Sequence, residues 1–139
     1  MAYDTDNVFG KILRGELPAH RVYEDDATLA FMDLMPQAPG HTLVIPKSAA
    51  EDLFDVEPQV LARSIETTQK IARAVKLAFR ADGIMIAQLS GAAAGQTVFH
   101  LHFHVLPRHQ GADFKLHAND AAPAELLEEH AQRIRAALE

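Results

Sequence analysis

The 139-residue sequence contains no cysteine. This absence excludes disulfides, thiolate nucleophiles and zinc sites built on cysteine. Positive charge is also scarce, because 13 Lys and Arg residues stand against 19 Asp and Glu residues and give a formal net charge of −6. Such a balance argues against a nucleic-acid backbone as partner, which needs a basic face. A small anionic ligand is compatible with it, because backbone amides and histidines bind phosphate inside a local pocket.

Long apolar runs are missing as well. No stretch approaches the roughly 20 residues that span a bilayer, so we expect no membrane partner. The first ten residues hold no basic region followed by an apolar stretch, so we expect no secretory signal and a cytoplasmic protein. The sequence has no repeat and no low-complexity tract. We therefore expect residues 1–139 to form a single domain.

Hydrophobic periodicity and turn residues predict a mixed set of elements. The predicted elements are a helix at 7–15, strands at 20–23 and 28–33, an irregular segment at 35–40, a strand at 41–45, a helix at 58–80, a strand at 84–89, a small-residue loop at 90–96, a strand at 98–106 and a helix at 124–138. Hairpins dominate, and crossovers are too few for a doubly wound sheet. The predicted fold class is therefore α+β.

The long predicted helix at 58–80 has one wide apolar face. Its members recur at steps of four and three, namely Leu61, Ile65, Thr68, Ala72, Val75 and Phe79. Val60, Ile71 and Ala78 widen this face. Such a face serves the core alone or both the core and a partner subunit.

Three histidines alternate with apolar residues in the predicted strand at 98–106. Side chains of a strand alternate between its two faces, so His100, His102 and His104 share one face. Crowding and partial burial disfavour the imidazolium form and lower the pKa of such rings. A neutral imidazole has a free lone pair, which is what a nucleophile or general base requires.

Metal binding is the alternative use of such a strand, because a His-x-His pair presents two ring nitrogens to zinc. The third ligand would have to be His104, and positions i and i+4 of a strand lie about 13 Å apart. Three ligands in line over that span do not easily close a tetrahedral site with bonds of about 2 Å. We therefore predict no metal and no other cofactor.

The segment 91–97 places small residues directly before the histidines. Small residues let backbone N–H groups approach an anion closely, and Gln96 and Thr97 add polar side chains. An anion held by this loop would lie beside the histidines.

The run His100-Leu101-His102-Phe103-His104-Val105-Leu106 resembles the signature of the histidine triad superfamily, in which three histidines alternate with apolar residues. Further segments are similar to its nucleotide-binding branch: 9–13, 24–26, 30–33, 36–41 and 43–47. The resemblance covers a core of about residues 8–108 and leaves 111–139 as a C-terminal extension with a terminal helix.

This resemblance implies a homodimer in which two five-stranded antiparallel sheets join into one. It implies binding of a purine nucleoside monophosphate, and hydrolysis of phosphoramidates or acyl phosphates at the α-phosphate through a nucleotidyl-histidine. By position, His102 matches the nucleophile and His100 the residue whose carbonyl orients the nucleophile's ring. His104 matches the histidine at the phosphate and leaving group, and His41 a supporting histidine.

The resemblance also implies a nucleotide site. Asp33 falls where the family binds ribose hydroxyls. The positions that enclose the base are Phe9, Ile12, Phe31, Leu34 and Leu43. The positions near the phosphate are Gly95, Gln96, Thr97 and Val98. Many relatives have an asparagine in the stretch 88–90, and Ser90 is the candidate to replace it here.

Three other functions remain alternatives at this point. They are a dinucleoside polyphosphate hydrolase of the same fold, a nucleotide-binding interaction protein with vestigial catalysis, and a metal carrier. The remaining histidines are predicted to be exposed or turn residues, namely His20, His109, His117 and His130.

Overall fold

The computed structural model describes residues 3–111 and 121–138. Five strands form one antiparallel sheet in the order β1-β2-β3-β5-β4. The strands are β1 (Arg21–Glu24), β2 (Thr28–Met32), β3 (Thr42–Pro46), β4 (Gly83–Ala87) and β5 (Phe103–Arg108). The helices are α1 (Val8–Leu13), α2 (Pro58–Ala78) and α3 (Ala124–Leu138). The α+β class and the five-stranded antiparallel sheet are confirmed.

Both faces of the sheet are covered, because alternate residues of its central strands belong to two different apolar clusters. Ala30 and Met32 of β2 pack into the larger cluster with residues of α2 and α3. Leu29 and Phe31 of the same strand pack into the smaller cluster with residues of α1. The sheet therefore separates a helical core from the layer in which α1 lies.

α1 begins where its sequence provides a cap. The Asn7 side chain accepts a hydrogen bond from the Gly10 backbone N–H at 2.8 Å, as an N-cap residue does. The helix ends before Gly15, whose φ of +78° suits a left-handed C-terminal residue. Phe9 and Ile12 are its buried apolar side chains, so α1 contributes them to the smaller cluster.

Three local predictions are wrong. β5 begins at Phe103, so the predicted strand at 98–106 pairs only over its second half. On α2 the predicted face is wrong at Ile65, which is 46% exposed, and it omits the buried Ser64 and Thr67. The rest of that face is confirmed, since Thr68, Ile71 and Val75 are buried. His130 is 7% exposed on α3 rather than at the surface, because it packs edge-on against the ring of Phe79.

The predictions for the C-terminal helix and for the remaining histidines have different outcomes. The terminal helix has the predicted bounds, Ala124–Leu138. His109 is exposed and His20 is half-buried against Glu128, while His117 lies outside the described residues. Within the described part of the chain, no helix has the length and apolarity that a bilayer crossing requires.

Candidate active site

A cavity of about 570 Å³ opens beside the histidines on the α1 side of the sheet. Its lining is mostly apolar, with a few polar side chains at one end, as is usual in ligand pockets. The residues of the predicted nucleotide site that line it are Phe9, Ile12, Phe31, Asp33, Leu34, Leu43, Gly95, Thr97, Val98, His102 and His104.

Strand register brings the apolar wall to the histidines. Leu43 of β3 pairs with Phe31 of β2 on one side and with His104 of β5 on the other. Phe9 of α1 packs edge-on against the Phe31 ring, with centroids 5.4 Å apart, and against the His102 ring at 4.9 Å. An aromatic base placed in this cavity would therefore lie within contact of the histidine cluster.

His102 has the protonation state of a nucleophile. Its Nδ1 lies 2.7 Å from the carbonyl oxygen of His100. A carbonyl only accepts hydrogen bonds, so Nδ1 has the proton and Nε2 is left with a free lone pair. Burial lowers the pKa of His102, although the bond to the carbonyl acts in the opposite direction. The ring therefore stays neutral at pH 7, with a bare nitrogen on a side chain that lines the cavity.

A chain of hydrogen bonds also fixes the tautomer of His104. The Gln37 backbone N–H donates to Nδ1 of His41 at 3.1 Å, so Nε2 of neutral His41 has the proton. That Nε2 lies 2.9 Å from Nδ1 of His104 and donates to it. The proton of neutral His104 is therefore on Nε2, and its ring lines the cavity.

Burial keeps this pair of rings uncharged. It lowers the pKa of His41 to about 3 and that of His104 to about 4, and the neighbouring histidines act in the same direction. His41 is completely buried behind His104, so it touches no ligand in the cavity directly.

Asp33 is the acidic side chain of the cavity. Its Oδ1 accepts the Met35 backbone N–H at 2.9 Å, and its Oδ2 lies 3.4 Å from Nε2 of His41. Burial raises the pKa of Asp33 to about 6, so the carboxylate is ionised at pH 7 and neutral in mild acid. An ionised carboxylate in a ligand cavity accepts hydrogen bonds from hydroxyl groups.

Among the described residues, one group of side chains could hold a metal ion by its spacing. Its ligand atoms lie within 4.8 Å of one another and belong to Asp33, His41 and His104. The donor set does not fit a resident metal. Nδ1 of His41 accepts the Gln37 N–H, so Nε2 is protonated and has no lone pair for an ion. Using Nε2 as a ligand would move the proton to Nδ1 and set it against the N–H of Gln37.

The small-residue loop turns through a short 3-10 helix at Ala92–Ala94, with Gly91 and Gly95 at positive φ on either side. Gln96 holds this loop rather than lining the cavity. Its amide nitrogen donates to the Glu51 and Val98 carbonyls, and its amide oxygen accepts from the Gly91 N–H.

Ser90 also lies outside the lining. Its hydroxyl donates to Gln88 and accepts from the Leu53 backbone N–H. The polar contacts that the loop offers to the cavity therefore come from Gly95, Thr97 and Val98.

The structure adds residues to the predicted site. Gln37 acts through its backbone N–H on His41, and the turn sequence around it was the only sequence signal. Further lining residues are Val8, Pro18, Ala19, Met32, Met35 and Leu89.

A second groove of about 600 Å³ lies between α2, α3 and β1. It has no histidine in its lining, and two of its three cations are engaged, since Arg63 bonds Asp26 and Lys70 bonds Tyr23. The chemistry of the described chain is therefore concentrated in the cavity at His102.

Neutral histidines with fixed tautomers lie beside an apolar cavity on a five-stranded antiparallel sheet. Residues 14–111 match the model of the HIT domain family, and the chain belongs to this family. Its fold is therefore of the nucleotide-binding, hydrolase type.

Its relatives include proteins of known structure and one with a named activity. It is 54% identical to a Hit-like protein from Bartonella henselae, solved with an unknown ligand, with a TM-score of 0.93 over 98% of this chain and 99% of that one. It is 41% identical to a zinc-bound histidine triad family protein from Mycobacterium smegmatis, with a TM-score of 0.85 over 96% and 94%. It is 41% identical to adenylylsulfatase HINT3 from Arabidopsis thaliana over 74% of this chain and 52% of that protein.

Proposed function

We propose that the protein hydrolyses purine nucleoside phosphoramidates or acyl phosphates at the α-phosphate, with His102 as the covalent nucleophile. The observation that supports this most is the His102 ring, whose Nδ1–H is bonded to the His100 carbonyl and whose bare Nε2 belongs to a cavity-lining side chain. A buried, neutral and oriented imidazole is the form in which histidine attacks phosphorus.

The cavity suggests how a nucleotide binds. The base lies in the apolar part between Phe9 and Leu43, and the ribose hydroxyls donate to the ionised carboxylate of Asp33. The phosphate then lies at Gly95 and Thr97, beside the histidines. In this arrangement the protein catalyses the reaction mainly by positioning the phosphate and by stabilising charge on its oxygens.

The first half of the reaction forms a bond from Nε2 of His102 to the α-phosphorus and breaks the bond from phosphorus to the leaving nitrogen. The leaving nitrogen keeps the bonding electrons and takes a proton from solvent. The Nε2–H of His104, whose ring centroid lies 5.0 Å from that of His102, donates a hydrogen bond to that nitrogen and stays on the ring. With an acyl phosphate, the acyl group leaves as a carboxylate and needs no proton.

In the second half, water attacks the nucleotidyl-imidazole, which is itself an activated phosphoramidate. The water hydroxyl bonds to phosphorus, the other water proton is released to solvent, the bond from phosphorus to Nε2 of His102 breaks, and His102 regains its lone pair. His41 holds Nδ1 of His104 throughout, so the same N–H of His104 faces the phosphate in both steps. The Arabidopsis relative named as an adenylylsulfatase supports an activated group on an adenylyl phosphate as the substrate class.

The test follows release of AMP from adenosine 5′-phosphoramidate with a chelator present. We expect turnover by the wild type and a loss of at least about a thousandfold in His102→Ala. Equal rates would overturn the assignment. Tight AMP binding without turnover by either protein would instead support a binding protein with vestigial catalysis.

We also propose that two copies join through the outer edge of β4. Within the described residues β4 pairs with β5 alone, and its Ile86 is 43% exposed. An open strand edge with apolar side chains favours pairing with another strand. Sedimentation analysis should give a dimer for the wild type and a monomer for Ile86→Glu, and a wild-type monomer at micromolar concentration would exclude this arrangement.

A further inference from the structure

The N-terminal segment reaches the histidine cluster at a point outside the cavity lining. The Tyr3 hydroxyl lies 2.5 Å from Nδ1 of His100, and the two rings meet edge to face. The Asn7 side-chain amide donates to the same hydroxyl at 2.8 Å. Neither Tyr3 nor Asn7 lines the cavity, so these contacts serve no direct binding role there.

The partners of His100 fix the direction of each hydrogen bond. Nε2 of His100 lies 2.8 Å from the Pro46 carbonyl oxygen, which only accepts, so Nε2 has the proton. Nδ1 of the neutral ring is then an acceptor. Since Asn7 already donates to the Tyr3 oxygen, the Tyr3 proton points to Nδ1. Every polar atom of this completely buried ring has one partner of the matching kind.

The same residue orients the nucleophile through its main chain. The His100 carbonyl accepts the Nδ1–H of His102 at 2.7 Å. Its direction depends on the backbone between the clamped His100 ring and Leu101, whose N–H donates to the Ala50 carbonyl at 2.8 Å. Loss of the Tyr3 donor would leave a buried ring nitrogen unpaired, at a cost of about 1–3 kcal/mol if nothing moves. We expect the ring to turn or to change tautomer to avoid that cost, and the adjoining main chain with its carbonyl to shift as the ring is released.

We propose that Tyr3, held by Asn7, is a positioning residue for the nucleophile, acting on His102 through His100; this rests on the function proposed above. Asn7 links two parts of the site, since its amide oxygen caps α1 at Gly10 while its amide nitrogen holds Tyr3. The helix that places Phe9 against the His102 ring and the hydroxyl that holds His100 thus share one anchor.

The kinetic test compares Tyr3→Phe with Tyr23→Phe, which removes the hydroxyl of the only other tyrosine. The Tyr23 hydroxyl donates to Asp25, away from the histidines, so this variant is a matched control. For adenosine 5′-phosphoramidate we expect Tyr3→Phe to lower kcat about tenfold, the equivalent of one buried hydrogen bond, with KM within about twofold of wild type. Tyr23→Phe should leave kcat unchanged.

A spectroscopic test works without any turnover. Imidazole ¹⁵N shifts of the wild type should show His100 protonated on Nε2 with Nδ1 accepting, and His102 protonated on Nδ1. In Tyr3→Phe, the Nδ1 signal of His100 and the Nδ1–H of His102 should both shift. Asn7→Ser keeps an N-cap side chain but removes the amide donor, so it should show the same changes at smaller size.

The outcomes separate this inference from the proposed function. Wild-type kcat in Tyr3→Phe together with unchanged His102 nitrogens would overturn the positioning role. A Tyr3→Phe variant that loses thermal stability and raises KM, while kcat and the nitrogen shifts of the folded protein are kept, would assign Tyr3 to folding alone and also overturn it. If the wild type has no turnover, the proposed function fails, and the nitrogen shifts still decide whether Tyr3 holds His100 and His102.

Discussion

At the scale of single residues, the site depends on where protons are held. His102 and His104 belong to the same cavity, but their protons lie on different nitrogens, because the His100 carbonyl accepts from one ring and His41 donates to the other. One ring thus presents a lone pair and the other presents an N–H. This asymmetry is what the proposed roles of His102 as nucleophile and His104 as hydrogen-bond donor require.

The pH dependence of kcat/KM follows from these states, because this ratio reports groups of the free protein. Protonation of His102 removes the proposed nucleophile, and the pKa of His102 lies below the usual 6.5. Protonation of Asp33 near pH 6 removes the proposed acceptor for ribose hydroxyls. We expect a level profile from pH 8 to 7 and a decline at about pH 6 and below.

Asp33→Asn separates the two groups. The variant should bind nucleotide more weakly at pH 7 and above, where Asp33 is ionised. Its decline in kcat/KM should move to lower pH, since only the His102 titration remains. A decline centred above pH 7 in the wild type would show that the nucleophile is not the buried neutral imidazole described here.

At the scale of elements, the end of α2 supports the turn that precedes His41. The Phe79 ring lies between this turn and α3, with the Arg133 guanidinium 4.3 Å from its centroid and the His130 ring at 5.1 Å. Gly40 approaches the same ring so closely that an added Cβ would lie 2.6 Å from it. The C-terminal helix therefore helps to hold the loop that positions a site histidine.

Gly40→Ala tests this support. The substitution combines a strained φ of +90° with a clash against a ring that α3 holds in place, and we expect a loss of about 2–4 kcal/mol in the free energy of unfolding. Gly15→Ala is the control, because its φ is +78° with no atom within 4 Å of the new Cβ. Urea denaturation should show the larger loss for Gly40→Ala, together with a lower kcat as His41 moves. Equal losses would show that the Phe79 contact yields freely.

Local patterns predicted the elements that have strong end signals. Pro58 at the first turn of α2 and the apolar spacing of α3 gave the starts of both helices correctly. The spacing on α3 also indicates burial of His130, which lies three residues after Leu127 and four before Ile134 on the same helical face.

Contacts between distant parts of the chain could not be predicted from the sequence. Tyr3 and His100 are 97 residues apart, and no periodicity relates them. The predicted strand begins too early because the alternation continues through Leu101, which is buried in an irregular segment before β5. Alternation shows which face a side chain takes, whereas pairing depends on the neighbouring strand.

At the scale of the whole molecule, burying neutral histidines couples stability to pH. The folded pKa values of His41, His100 and His104 are lowered to about 3, 4 and 4, while unfolded histidines titrate near 6.5. The unfolded chain thus binds more protons between these values, and stability present above pH 6.5 is lost as the pH falls toward 4. Asp33 acts in the opposite direction. Because its pKa is raised in the folded state, the folded chain binds one proton at Asp33 in mild acid that the unfolded chain does not.

The free energy of unfolding should therefore fall by about 2–4 kcal/mol between pH 7 and pH 5. Urea titrations at several pH values measure this dependence. Constant or rising stability over this range would contradict the neutral, buried state of the cluster.

The central claim is a covalent bond between His102 and the nucleotide, and intact-protein mass spectrometry tests it most directly. Protein is mixed rapidly with adenosine 5′-phosphoramidate and quenched in neutral denaturant, because phosphorus–imidazole bonds are labile in acid. The account predicts a transient adenylyl adduct that maps to His102 and is absent from His102→Ala. Two results would contradict the account. One is turnover of the substrate by His102→Ala with no adduct, and the other is an adduct that maps to a residue other than His102.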